Sequence, residues 1–429
     1  MKRKVVSLIL AASAITTILA GCGSSSTQSS VSSSSAAESA GTTATETAKT
    51  SASTASSTEI SATGNADTRT FDELLKAGKK NGKDLTIYST ASTVISAAEA
   101  FKKEYDLPMD VECTQIGDTD MITQVAQEVS SNAPGADIIF IQDGARTMTD
   151  LVKPGYVTNW YNLEILNEVG PDNVEPLLPW EYCNKVFMYN SNNLKDTDVA
   201  NIWYLTDPKN NGTFQMKNPT AEGVNMDFLT QLTSDDSAKS LADAYKDYYG
   251  KDINLDDDCP NAGYQFIKDM YDNGMVLGTS DTDIGAAIGD KSQKTKWSAL
   301  ITLNKYSKLT NQGCALGYAK TMKPFAGFFY PIYALQTANA DNPELAEAFL
   351  CWMFTEQGWY GSEKEITLSD GSVYAGMSGR VGDYSGNTSI AADPNDMALS
   401  DWQKVLVDCD PEYCAENRAD VEDFIATIQ

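Results

Sequence analysis

From Asp84 to Gly155 one pattern recurs three times: a short apolar run, a small or hydroxylic turn, then a stretch with one apolar helical face. Residues 84–88 read as a strand and 89–93 as a turn. In the stretch that follows, Val94, Ala98, Phe101 and Tyr105 recur at i, i+4, i+7 and i+11. Residues 109–113 predict the next strand, 117–120 its turn, and Met121, Val125 and Val129 the helix stripe. The third unit runs from strand 136–141 through the turn Gln142-Asp143-Gly144-Ala145 to a helix ending at Lys153-Pro154-Gly155. Strands that alternate with amphipathic helices predict a parallel sheet covered by helices on both faces, hence an α/β fold. In such a sheet the strand-to-helix turns gather at the carboxyl edge, where helix N-termini point free N–H groups outward.

A second α/β unit follows. Residues 185–190, 214–217 and 298–302 read as strands. A helix is expected around 226–232 and another over 263–273, and Thr279-Ser280-Asp281-Thr282-Asp283 caps a third. Residues 328–335 are a strand, and Asn342-Pro343 opens a helix reaching Phe354.

The first 70 residues belong to no such pattern. Lys2, Arg3 and Lys4 precede an apolar run over 5–20, which ends in Leu19-Ala20-Gly21-Cys22. A basic start and a short apolar core predict a secretory signal. Leu-Ala-Gly-Cys resembles the bacterial lipobox, so residues 1–21 are expected to be a signal peptide and Cys22 the lipid anchor. Residues 22–70 are rich in Ser, Thr, Ala and Gly and lack aromatic side chains, the composition of a disordered tether. As a flexible coil it would reach roughly 40 Å. That suits an extracellular protein held on the outer face of the membrane of a Gram-positive-type cell.

Composition removes whole function classes. The chain has 429 residues and no histidine, which excludes Ser-His-Asp and Cys-His catalysis and every histidine-containing zinc or iron site. Lys+Arg is 32 against 59 Asp+Glu, a formal net charge of −27, which disfavours nucleic acid as a partner. Of the 8 cysteines, all but Cys22 remain for the folded part, an odd number without a C-x-x-C pair. Cys409 and Cys414 could bridge across the turn at Pro411. No G-x-S-x-G, H-E-x-x-H, Walker or calcium-loop motif is present.

Several segments, in this order, resemble the bacterial extracellular solute-binding proteins of the type II periplasmic-binding fold, in the branch that includes ferric-iron, thiamine, phosphonate and polyamine binders. They are Phe71-Asp72-Glu73-Leu74-Leu75 before Leu85-Thr86-Ile87-Tyr88-Ser89, Ala136-Asp137-Ile138-Ile139-Phe140 with Gln142-Asp143-Gly144, Tyr189-Asn190, Trp203 to Pro208 leading to Gly212, and Asn342-Pro343 through Phe354. The resemblance spans about residues 71–360 and weakens after Gly361, where an extension is expected. It implies two lobes joined by crossover strands, one formed by 71–184 plus 325–429 and the other by 185–324. It also implies a solute cleft between the lobes and delivery to an ABC permease, with no catalysis, cofactor or metal, by a protein expected to be a monomer.

The turns expected to face that cleft place Ser89, Thr90, Asp118, Thr119, Asp143, Thr220, Glu222, Thr279, Ser280 and Tyr330 as ligand-binding residues. Iron-binding members use an adjacent tyrosine pair; here Tyr248-Tyr249 falls too early, and Thr279-Ser280 occupies the matching place. The acidic turns at Asp118, Asp120, Asp143, Glu222, Asp281 and Asp283, against chiefly Arg146 and Lys305, give a slight lean to a cationic or amine-bearing solute over an anion on helix N-termini. The alternatives are a ligand-sensing lipoprotein that signals to a membrane receptor and an anchored carboxylate-dependent hydrolase.

Overall fold

Alternate residues of the first strands pack into two different cores. In the computed structural model, which describes residues 66–361 and 364–429, helix α1 (Phe71–Asn81) precedes strand β1 (Leu85–Ser89), α2 (Thr93–Glu104), β2 (Val111–Gln115), α3 (Asp118–Ser131) and β3 (Ile138–Ile141). Ile87, Ile138 and Phe140 join Val94 and Phe101 of α2 on one face. Tyr88, Ile139 and Ile141 join Met121, Ile122 and Val125 of α3 on the other. The period-2 pleat therefore buries both faces of a parallel triplet, β2-β1-β3.

The chain then leaves through β4 (Val157–Thr158) and the 12-residue β5 (Pro179–Asn190). The second unit comprises β6 (Phe214–Lys217), α4 (Gly223–Gln231), α5 (Asp235–Tyr249), α6 (Ala262–Asp272), β7 (Val276–Gly278), α7 (Asp281–Ile288), β8 (Ser298–Thr302) and β9 (Leu316–Tyr318). Its parallel triplet is β8-β6-β7. The 11-residue β10 (Gly327–Thr337) returns, followed by α8 (Pro343–Met353). The sheet order is β2-β1-β3-β10-β5-β8-β6-β7, and β10 is antiparallel to both β3 and β5. Two parallel triplets are thus joined by two long antiparallel strands.

The segment after 361 is not an appendage. Strand β11 (Asp383–Ser385) pairs with β5, and β12 (Val407–Asp408) pairs with β10. The last helix, α9 (Pro411–Ile428), places Arg418 between Asp143 and Asp227, with Nη1 2.8 and 2.9 Å from the two Asp143 oxygens and 3.3 Å from Asp227 Oδ1.

Several boundaries differ from expectation. Strand β2 lies two residues later than predicted, because Leu85 pairs with Val111 and sets the register. After Asp143 the helix is three residues long before it loosens into a π-turn over Thr147–Val152. Cys409 and Cys414 are both free thiols, and Cys414 Sγ donates to the Asp227 carbonyl at 3.4 Å, so that expected bridge is absent. The expected signal peptide, the Cys22 anchor and the tether up to residue 65 lie outside the described residues; its last residues are not disordered as expected, because Asp67 bridges to Asn162, Arg69 pairs with Glu347 at 2.7 Å and Thr70 caps α1. No described helix is long and apolar enough to cross a membrane.

Candidate functional site

The carboxyl ends of both triplets face one cleft of about 330 Å³. The first triplet contributes Thr90 to Thr93 after β1, Gln115 at the end of β2 and Gln142 after β3. From the second come Lys217 and Glu222 after β6, Thr279 to Thr282 after β7, and Thr302, Asn304 and Lys305 after β8. The crossing strands supply Glu181, Cys183, Tyr330 and Ile332, and the C-terminal segment supplies Arg380. A second hollow, also about 330 Å³, shares Thr90, Gln115, Gln142, Lys217 and Glu222 and extends to Asp118.

One side of the site is a charge network around Lys185, whose side chain is fully buried on β5. Its ammonium contacts the Glu222 carboxylate, Asn225 Oδ1 at 2.9 Å and Asp281 Oδ2 at 3.4 Å. The local sequence makes this possible. Asn218 accepts from the Thr220 N–H and hydroxyl at 3.0 and 2.9 Å, an Asx turn that brings Glu222 to the start of α4. There Glu222 also meets Lys217 Nζ at 2.9 Å. Asp281 accepts from the Thr302 N–H at 3.1 Å and hydroxyl at 2.6 Å. Burial pushes the Asp281 carboxyl up, but the Lys185 charge and the Thr302 hydrogen bonds outweigh it and hold it below the ordinary range. Burial pushes Lys185 down, and Asp281 with Glu222 more than restores it.

The other charges are less committed. Lys305 makes no ion pair with a described residue. Arg380 is 38% exposed and touches Asp383 through Nη1 at 3.4 Å. Across the cleft, α2 begins at Ser92 with no side-chain cap; the Val94 and Ile95 N–H groups turn back to the Ala91 and Ser92 carbonyls at 3.2 Å, which leaves those of Ser92 and Thr93 without a partner among the described residues. Ser89 does not supply that cap; its hydroxyl is engaged with the Ala91 N–H and carbonyl at 3.0 and 3.1 Å.

A family model for "Bacterial extracellular solute-binding protein" matches residues 96–360, more than half of the chain. The chain belongs to this family. As a member of it, this protein binds a solute and is not an enzyme. No curated protein matches the chain. Among solved structures it is similar to iron-bound HitA from Pseudomonas aeruginosa, with 16% identity and a TM-score of 0.60 over 80% of this chain and 99% of that one. The ferric binding protein from Campylobacter jejuni has 14% identity and a TM-score of 0.57 over 80% and 99%. AfuA from Actinobacillus pleuropneumoniae, solved with fructose-6-phosphate, has 16% identity and a TM-score of 0.54 over 80% and 97%. These likenesses establish the two-lobed type II periplasmic-binding fold.

In this solute-binding protein the ten residues singled out from sequence divide. Thr90, Glu222, Thr279, Ser280 and Tyr330 line the cleft, and Asp118 lines the adjoining hollow. Ser89 is buried in its own turn. Thr119 and Thr220 are exposed and line neither space, and Asp143 is buried beneath Arg418. Asp120 and Asp283 line neither space, and Arg146 pairs with Asp150 at 3.0 Å. Tyr248 and Tyr249 close α5, where Tyr248 donates to Asp207 at 3.1 Å. Asp281, expected only as one of the acidic turns, does line the cleft, whereas Lys185, Lys217 and Arg380 were not singled out as ligand groups. Lys185 opens a run, 185–190, that was read only as a strand, and Arg380 lies in the segment read as an extension.

Proposed function

We propose that the protein captures a small anionic, hydroxyl-bearing solute of the phosphate-ester type and delivers it to an ABC permease, held to the outer membrane face by lipidated Cys22. The observation that carries this reading is the pair Lys305 and Arg380 on one wall opposite the uncapped start of α2 at Ser92. An anion there would meet two cationic side chains and free backbone N–H groups. The carboxylates on the walls do not oppose it: burial, then the Asp383 charge, pushes the Glu181 carboxyl up toward its neutral form. Glu222 is shared by two lysines, and Asp281 is committed to Lys185 and Thr302. With Asp120, Asp143 and Asp283 off the cleft, the weight moves from the amine-bearing solute expected from sequence to an anion. Hydroxyls from Thr90, Ser92, Thr279 and Ser280 suit a polyol, and AfuA, of the same fold, was solved with a sugar phosphate. The proposed lobes, 71–184 with 325–429 and 185–324, would close over it by population shift, because its contacts bridge both triplets.

Calorimetric titration with fructose 6-phosphate, inorganic phosphate, spermidine and ferric iron tests this. A phosphate ester should bind, and Lys305→Met should weaken it about 10- to 100-fold, the effect of losing one charge-assisted hydrogen bond. Binding of spermidine or ferric iron with no phosphate-ester heat would overturn the reading.

A further inference from the structure

Beside the cationic groups lies a buried set that the solute reading leaves unused. Glu181 and Cys183 sit two residues apart on β5, and β11 sets Asp383 opposite Cys183. One oxygen of each carboxylate and Cys183 Sγ all lie within 4.8 Å of one another. Each of the three residues is at most 4% exposed. Their hydrogen bonds leave two acceptors open. The Cys183 thiol donates to Glu181 Oε1 at 3.3 Å, while Glu181 Oε2 has no partner among the described residues. Asn304 Nδ2 is fixed on both Asp383 oxygens at 2.9 and 3.2 Å, and Asn304 Oδ1 is buried without a partner as well. A buried acceptor without a donor lowers stability, and two occur at this one place.

We infer that Glu181, Cys183 and Asp383, with Asn304 Oδ1 beside them, form a binding site for one divalent transition-metal ion of the zinc class. A thiolate with carboxylate and amide oxygens suits a borderline-soft ion and disfavours magnesium and calcium, which take oxygen ligands alone. The charges balance: three anionic ligands and a divalent cation leave one negative charge, with the Arg380 guanidinium 3.4 Å from Asp383 and Lys305 on the same wall. Binding releases the thiol proton, and any carboxyl proton, to solvent. Glu181 and Cys183 open onto the cleft, so an ion can reach the site.

The full chain, reduced and freed of metal by chelation, is titrated with Co²⁺ in phosphate-free buffer. One equivalent should produce a thiolate-to-cobalt charge-transfer band in the near ultraviolet, which Zn²⁺ should bleach. Cys183→Ser should remove the band, and Cys314→Ser should keep it. Asp383→Asn, with its fold checked by circular dichroism, should weaken Co²⁺ binding at least tenfold. No band at one equivalent, or the same band in Cys183→Ser, would overturn the site. Titrating fructose 6-phosphate into the chelator-treated protein reads the anion site separately, so either proposal can fail alone.

Discussion

Lys185 and Asp118 show how the same interior treats two charges differently. Lys185 is matched by Glu222 and Asp281, and the network it anchors favours ionised partners. Because Asp281 titrates below its unfolded value, its contribution is present above about pH 4 and is lost as pH falls through the folded pKa. Lys185 titrates above its unfolded value of about 10.4, so its contribution holds throughout the neutral range. Asp118 has the opposite sign. Burial, then the Asp143 charge, push its carboxyl up to about 6, although it accepts from the Gln142 and Asp143 N–H groups at 2.9 and 3.2 Å. Between its unfolded value and about 6 the folded state binds more protons, so ionised Asp118 lowers stability as pH rises. Asp118→Asn keeps an acceptor for those N–H groups and removes the charge. Its stability relative to wild type should improve by up to about 3 kcal/mol between pH 4 and pH 7, measured by urea unfolding at each pH. A constant difference across that range would refute the assignment.

At the scale of elements, the second triplet meets the first where α4 starts. A side chain at Gly223 would stand 1.9 Å from Asp143 Oδ2, and Arg418 holds that carboxylate by both oxygens. The carboxylate cannot step aside without breaking the ion pair. Gly223→Ala should therefore destabilise by about 1–3 kcal/mol, read as a lowered melting temperature. A loss near zero would mean that the two units are not pressed together here. Much of this level was legible in sequence. Strand β8 matches its expected range of 298–302, and α8 lies within the segment expected from Pro343 to Phe354. Short apolar runs and Pro at a helix start are local signals. The π-turn after Asp143 was not legible, because the pattern there reads as an ordinary helix.

For the molecule as a whole, Arg418 ties the turn after β3 to α4. The C-terminal helix thus spans the two triplets that the crossing strands β5 and β10 join. Arg418→Met leaves Asp143 and Asp227 buried without their cation, and parting of the two halves hydrates both. Small-angle scattering of the solute-free variant should show a larger radius of gyration than wild type; an unchanged radius would assign Arg418 to stability alone. The sequence by itself determined the strand–turn–helix grammar, the exclusion of histidine chemistry and the family resemblance, because each rests on residues close together in the chain. Half of the expected site residues reach the cleft, and Thr90, Thr279 and Ser280 do so for the same reason: they are turn residues at strand ends, and such turns gather at one edge. Only tertiary structure decided which charges remain free for a ligand. Lys185 and Glu222 are 37 residues apart and Arg418 and Asp143 are 275 apart, and no local pattern tells which carboxylate a distant lysine or arginine will neutralise.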